Sequence, residues 1–155
     1  MCTTMPHIRT RLWLLALGAL SGCTPVGPTI DDEPAELAFC ADEVNRYRAH
    51  VSLPPLEQSS ALETYAAESA RVDGSTGQPH AHFLQTNGGG VALAETELLG
   101  WSNLDVRAVI GRGLKLMWEE GPTGEHYPIL VGPYSQIGCG VFVGNKRVTV
   151  TQSFR

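Results

Sequence analysis

"GEHYPILVGPYSQIGCGVFV", residues Gly124–Val143, decides the fold class. Its two apolar, β-branched runs, 127–131 and 136–143, read as strands, and the glycines around Cys139 invite close approach of another element. Gly144-Asn145 supplies a tight hairpin turn, after which Arg147–Phe154 places Val148, Val150 and Phe154 on one face. The C-terminal third is therefore antiparallel β. His126 stands at the mouth of this region beside Tyr127, which is more naturally a core residue than a site residue.

Working outward, the N-terminal half is helical. Leu37, Cys40, Val44, Tyr47 and Val51 recur at steps of three and four, forming one apolar stripe that "SLPPL" terminates. Ser60-Ala61-Leu62-Glu63 reads as a capping box that opens a second helix through Leu62, Tyr65, Ala66 and Ser69 to the neighbourhood of Gly74. Residues 74–90, "GSTGQPHAHFLQTNGGG", carry too many glycines and polar residues for regular structure and read as a long loop, a common place for function. "VALAETELL" follows as a short strand or extended segment. Ser102-Asn103-Leu104-Asp105 resembles a second capping box, opening a helix that ends at Gly121-Pro122. Gly111 and Gly113 each weaken that helix by roughly 1 kcal/mol relative to alanine. Helices first and a terminal sheet give the α+β class.

A chain of 155 residues fits one domain. Its first 22 residues read as an export signal: Arg9 and Arg11 precede "LWLLALGAL", about half of the roughly 20 apolar residues that a membrane-spanning helix needs. Leu20-Ser21-Gly22-Cys23 looks like a bacterial lipobox, which makes Cys23 the expected lipidated N-terminus. Thr24, rather than an aspartate, follows it, so the expected destination is the outer membrane of a diderm bacterium. Residues 23–35, with three prolines and an acidic cluster, read as a tether between lipid and a domain spanning 36–155. Once Arg9 and Arg11 are removed with the signal, nine basic residues face 16 acidic ones, a net charge of −7. Such a surface repels phosphate backbones, and no nucleic acid partner is expected. The membrane is expected to be met only through the lipid, and the protein to be a monomer. In an oxidising compartment Cys40 and Cys139 are disulfide candidates, with a pair of buried thiols as the alternative.

Chemistry-bearing side chains cluster in four places: "PHAHF" (His80, His82), "LAETE" (Glu95, Glu97), "MWEEGP" (Glu119, Glu120) and His126. Two imidazoles with carboxylates suit a divalent ion, although histidines and acids in loops are more often simply solvated. HExxH, GxSxG, a P-loop and paired Cys/His zinc motifs are all missing from the sequence, and "GGGVA" reads as a flexible turn.

The order of these pieces resembles the CAP superfamily of cysteine-rich secretory, antigen 5 and pathogenesis-related 1 proteins. "VNRYRAHVSLPPLEQSSALETYAAESA" is similar to the family's first two helices. "HAHF", "AETE", "MWEEGPTGEHY" and "IGCGVFV" are similar to its loop histidine, its GEN glutamate, its Trp-with-Glu helix end with the GHY histidine, and its GCG strand. The resemblance implies a three-layer α-β-α sandwich around a small, mainly antiparallel sheet. It also implies a central cleft holding His82, Glu95, Glu120 and His126, with His80, Glu97 and Glu119 as alternates, and a divalent cation, zinc being the expected one, on His82 and His126 with Glu95 or Glu120. "AET" stands where the family has "GEN", and the stretch from Glu120 to His126 is shorter than in many members. Trp101 and Trp118 either line a groove or pack in the core. Three functions are then open: binding of a lipid-like or peptide ligand in the cleft, metal-dependent hydrolysis in the same cleft, or an envelope interaction domain with a vestigial cleft.

Overall fold

A computed structural model describes residues 33–102 and 105–155. The signal segment, Cys23 and most of the tether lie outside them. Helix α1 (Glu33–His50) begins inside the expected tether, where Pro34 suits a first turn and Glu33 and Glu36 complement the helix dipole. Strand β1 (Glu57–Gln58) is a two-residue edge. It is followed by α2 (Ser60–Thr76), α3 (Ala81–Thr86), a 3₁₀ turn over Asn87–Gly90, β2 (Ala94–Trp101), α4 (Val106–Glu119), α5 (Tyr127–Leu130), β3 (Gln136–Gly144) and β4 (Arg147–Phe154).

The four strands form one sheet in the order β1-β3-β4-β2, antiparallel except where β1 runs beside β3. Helix α2 covers one face, and α1 and α4 cover the other, which gives three layers. Register assigns the faces. Ile137, Cys139, Val141, Val148, Val150, Phe154 and Leu98 look toward α1 and α4, and with Val44, Ile110 and Leu114 they form the main core. A disulfide joins Cys40 of α1 to Cys139 of β3, with Cα atoms 6.3 Å apart. The opposite face carries Gly138 and Gly140, opposite Ser153 and Thr151, which in turn pair with Glu95 and Glu97 of β2. A Cβ on Gly140 would lie 2.2 Å from the backbone carbon of Ala66, so α2 rides directly on the strand backbone.

Several local expectations are corrected. Residues 127–131, expected as strand, form the single turn α5, because Pro128 near its start pre-sets a helical φ and a five-residue apolar run has no period that distinguishes strand from helix. The turn has a structural task. Arg48 of α1, 1% exposed, donates from Nη1 to the carbonyls of Leu130 and Gly132, each at 2.9 Å, and from Nε to that of Pro54 at 3.1 Å. The capping box expected at Ser60–Glu63 does not form, and the one expected over residues 102–105 falls partly outside the described residues. Helix α2 starts after Ser59, which makes no side-chain cap, and α4 starts after Asp105, whose Oδ1 accepts from the Ala108 N–H at 3.0 Å. Val51 falls past the end of α1 and is exposed. Residues 74–90 are not a loop throughout: α2 continues through Gly74 to Thr76, and α3 and the 3₁₀ turn fill most of the rest.

Candidate functional site

Two histidines, each held by glutamate carboxylates, line one cavity. The first pair grows from β2. Glu95 and Glu97 sit two residues apart on the α2 face of this strand, so their carboxylates reach the same segment of chain before α3. Glu97 Oε2 accepts the His80 N–H at 3.1 Å, and Glu95 Oε1 lies 3.0 Å from His80 Nδ1. His80 has φ +56°, a left-handed conformation that costs a non-glycine residue free energy, and these two contacts hold it there. His82 goes elsewhere. Its N–H donates to Asp73 Oδ1 at 2.9 Å, and its ring packs 5.1 Å from that of Tyr65. The histidine that meets Glu95 is thus His80, because entry into α3 turns the chain between the two positions.

The second pair grows from the end of α4. Glu120 caps that helix, and its carboxylate grips His126 twice: Oε2 accepts the backbone N–H at 2.9 Å, and Oε1 lies 2.7 Å from Nδ1. The short connection from Glu120 to His126 makes this bidentate reach natural. Glu119 points away into an exposed ion pair with Lys115. Trp118 stacks between Tyr47 and Tyr127, with centroids at 5.1 and 4.7 Å, and Trp101 packs against the main core.

Between the pairs lies an open cavity of about 450 Å³, lined by His80, Glu95, Glu125 and His126 and by Pro79, Phe83, Leu84, Leu93, Ala94 and Ile129. That size is within the range of small-molecule sites. Leu84 and Leu93 are 73% and 67% exposed, and both belong to its lining. Motif reading misses Glu125 and the two leucines, which line the cavity, and Asp73, which holds the His82 N–H. Asp73 had a legible signal, since it continues the buried spacing Leu62, Ala66, Ser69 along α2. Glu125 and the leucines had none, because an isolated exposed acid or leucine is ordinary.

The electrostatics follow burial. Burial pushes the Glu97 carboxyl up to about 8, only partly offset by the His80 N–H, with Asp73 and Glu95 adding repulsion. Its hydrogen bond to Glu95 holds the His80 imidazole above its usual value. The His126 N–H and ring hold Glu120 below the usual carboxylate range.

A carboxylate on Nδ1 is the partner that metal-bound histidines use, and it leaves Nε2 of each ring available. A catalytic zinc takes three protein ligands, however, and a structural zinc takes four. Among the described residues no group of three or more His, Cys, Asp or Glu side chains is placed to share an ion. The described donors do not by themselves make up such a site, and the chemistry assigned to the cavity is that of its own side chains: hydrogen bonding, charge and apolar contact.

The sequence matches the family model described as CAP, cysteine-rich secretory protein family, over residues 41–154. Solved structures with the same fold include an outer surface protein from Borrelia burgdorferi, at TM-score 0.57 and 16% identity over 84% of this chain and 98% of that one. The hookworm platelet inhibitor has TM-score 0.57 and 16% identity, with 87% of this chain and 75% of that one covered. A cysteine-rich secretory protein from Staphylococcus aureus has TM-score 0.53 and 17% identity over 82% of this chain; the match spans only 40% of that longer protein. Identities this low carry the fold alone. No curated protein sequence matches.

Proposed function

The chain belongs to the CAP family, the cysteine-rich secretory proteins, and from that membership we propose an extracytoplasmic binding protein whose cavity takes a small, largely apolar ligand. The observation that carries the proposal is the composition of the cavity: two strongly exposed leucines on an opening of about 450 Å³, above a floor of two carboxylate-oriented histidines. Solvent-exposed leucines at a concave site are a cost in water that ligand burial removes. The polar floor orients an occupant and limits which ones fit. Names such as outer surface protein and secretory protein among the structural relatives support a place outside the cytoplasm. The lipobox at Leu20–Cys23 supports anchoring of a monomeric domain in the outer membrane by acyl chains on Cys23.

The test is extraction. The full chain, purified without organic solvent, is extracted with chloroform and methanol, and the extract is read by mass spectrometry. The expected result is a stoichiometric apolar small molecule that is absent from the Leu84→Ser, Leu93→Ser double variant. A clean extract from wild type, combined with failure to take up a fluorescent apolar dye, would contradict the proposal.

A further inference from the structure

We propose that the ligand of this cavity carries a primary ammonium group at the end of its apolar body, an inference that rests on the binding reading above and names the head group it implies. Each cavity histidine has its Nδ1 against a carboxylate oxygen, at 3.0 Å for His80 and 2.7 Å for His126. A carboxylate only accepts, so Nδ1 carries the proton and, in the neutral ring, Nε2 is an acceptor. Glu95 is 5% exposed, and its second oxygen, Oε2, is buried with no hydrogen-bond partner. Glu125 lines the cavity and forms no ion pair among the described residues. Among the described residues, no Lys, Arg, Asn, Gln, Ser, Thr or Tyr lines it. The polar side chains of the cavity therefore present acceptors.

Charge points the same way. Glu95, Glu120 and Glu125 stand against two imidazoles, which leaves an excess of one negative charge even when both rings are protonated. An anionic head group would meet repulsion and find no side-chain donor on a neutral ring. An ammonium brings three donors, no acceptor and the complementary charge, and its bonds to carboxylates are the stronger, charge-assisted kind. A quaternary ammonium has the charge without the donors, and an alcohol has one donor without the charge.

Octylamine, octanol, octanoate and octyltrimethylammonium share one tail and separate these cases. Calorimetric titration of the full chain at about pH 8 should give octylamine the tightest binding, by ~10-fold over octanol as expected for the gain from a charge-assisted bond. Octyltrimethylammonium should come between octylamine and octanoate. Glu125→Gln, at an exposed position of the lining, should weaken octylamine several-fold more than octanol. Octanoate binding as tightly as octylamine, or octyltrimethylammonium equalling it, overturns the ammonium assignment while leaving the binding reading standing. If none of the four binds, the binding reading itself falls and the ammonium assignment with it.

Discussion

The two faces of the one sheet are built on opposite principles. Toward α1 and α4, β3 and β4 present Cys139, Val141, Val148 and Val150, closed by the Cys40–Cys139 disulfide. Toward α2, the same strands present glycines, Thr151 and Ser153, and β2 adds Glu95 and Glu97. Among the described residues, most buried polar atoms without a partner lie on this second face, Ser69 Oγ, Asp73 Oδ2, Glu95 Oε2, Glu97 Oε1, Thr151 Oγ1 and Ser153 Oγ, whereas the first face holds Gln152 Nε2, beside the Thr96–Gln152 hydrogen bond. Such groups cost free energy, and structures keep them mainly where function uses them. The apolar face supplies stability, and the polar face spends part of it to hold His80 in a strained conformation at the edge of the cavity.

Removing the cross-link should have the largest effect, and all of it belongs to the apolar face. The bridge closes a separation of 99 residues, and loss of a native disulfide typically costs about 2–5 kcal/mol. Urea unfolding of the Cys40→Ala, Cys139→Ala double variant should show a loss of that order. An unchanged midpoint would mean that the apolar core holds the α1 layer without it.

The polar face should reveal itself through pH. Glu97 has an ordinary carboxyl value when unfolded and about 8 when folded. Between those values the unfolded chain ionises while the folded chain keeps its proton, so stability falls as pH rises from about 5 to about 8. His80 acts with the same sign. Its folded value is raised, so its contribution is complete below about 6.5 and is lost as pH climbs through the folded value. The combined decline should be on the order of a few kcal/mol, and Glu97→Gln should remove most of it. A flat profile in wild type would show that the Glu97 carboxyl is not desolvated.

A smaller and sharper contrast uses nearly isosteric exchanges at neighbouring positions of β4. Val150→Thr buries a hydroxyl on the apolar face and should cost about 1–3 kcal/mol. Thr151→Val deletes a hydroxyl that has no partner on the polar face and should cost nothing or stabilise slightly. Equal costs in chemical denaturation would erase the distinction between the faces.

These same facts govern what was legible in the sequence. The apolar face was, because Leu37, Cys40, Val44 and Tyr47 on α1 and Val148, Val150 and Phe154 on β4 repeat with their periods. The disulfide was an expectation that the structure shows. Strand β1 was hidden, being two exposed residues held by the edge of β3, and α5 was disguised by Tyr127, Ile129 and Leu130, which suit either class. The motifs named segments that the fold brings to one cavity, whereas which of the two histidines meets Glu95 was open in the sequence, and it is His80. His80 and His82 differ by which one stands at the left-handed entry to α3, and that choice is made by Glu97 and Asp73 through backbone N–H groups, which sequence does not display. The Glu120 and Glu119 choice rests likewise on which one faces the chain returning at His126.

The central claim is that His80 and His126, set on different elements by different glutamates, face one shared apolar cavity. Imidazole ¹⁵N resonances of the full chain, followed during titration with octanol, test it directly. The account predicts that His80 and His126 move together along one saturable curve with a single Kd, while His50, which packs near Trp118, stays still. Movement of only one of the pair, or of His50 with them, would contradict it.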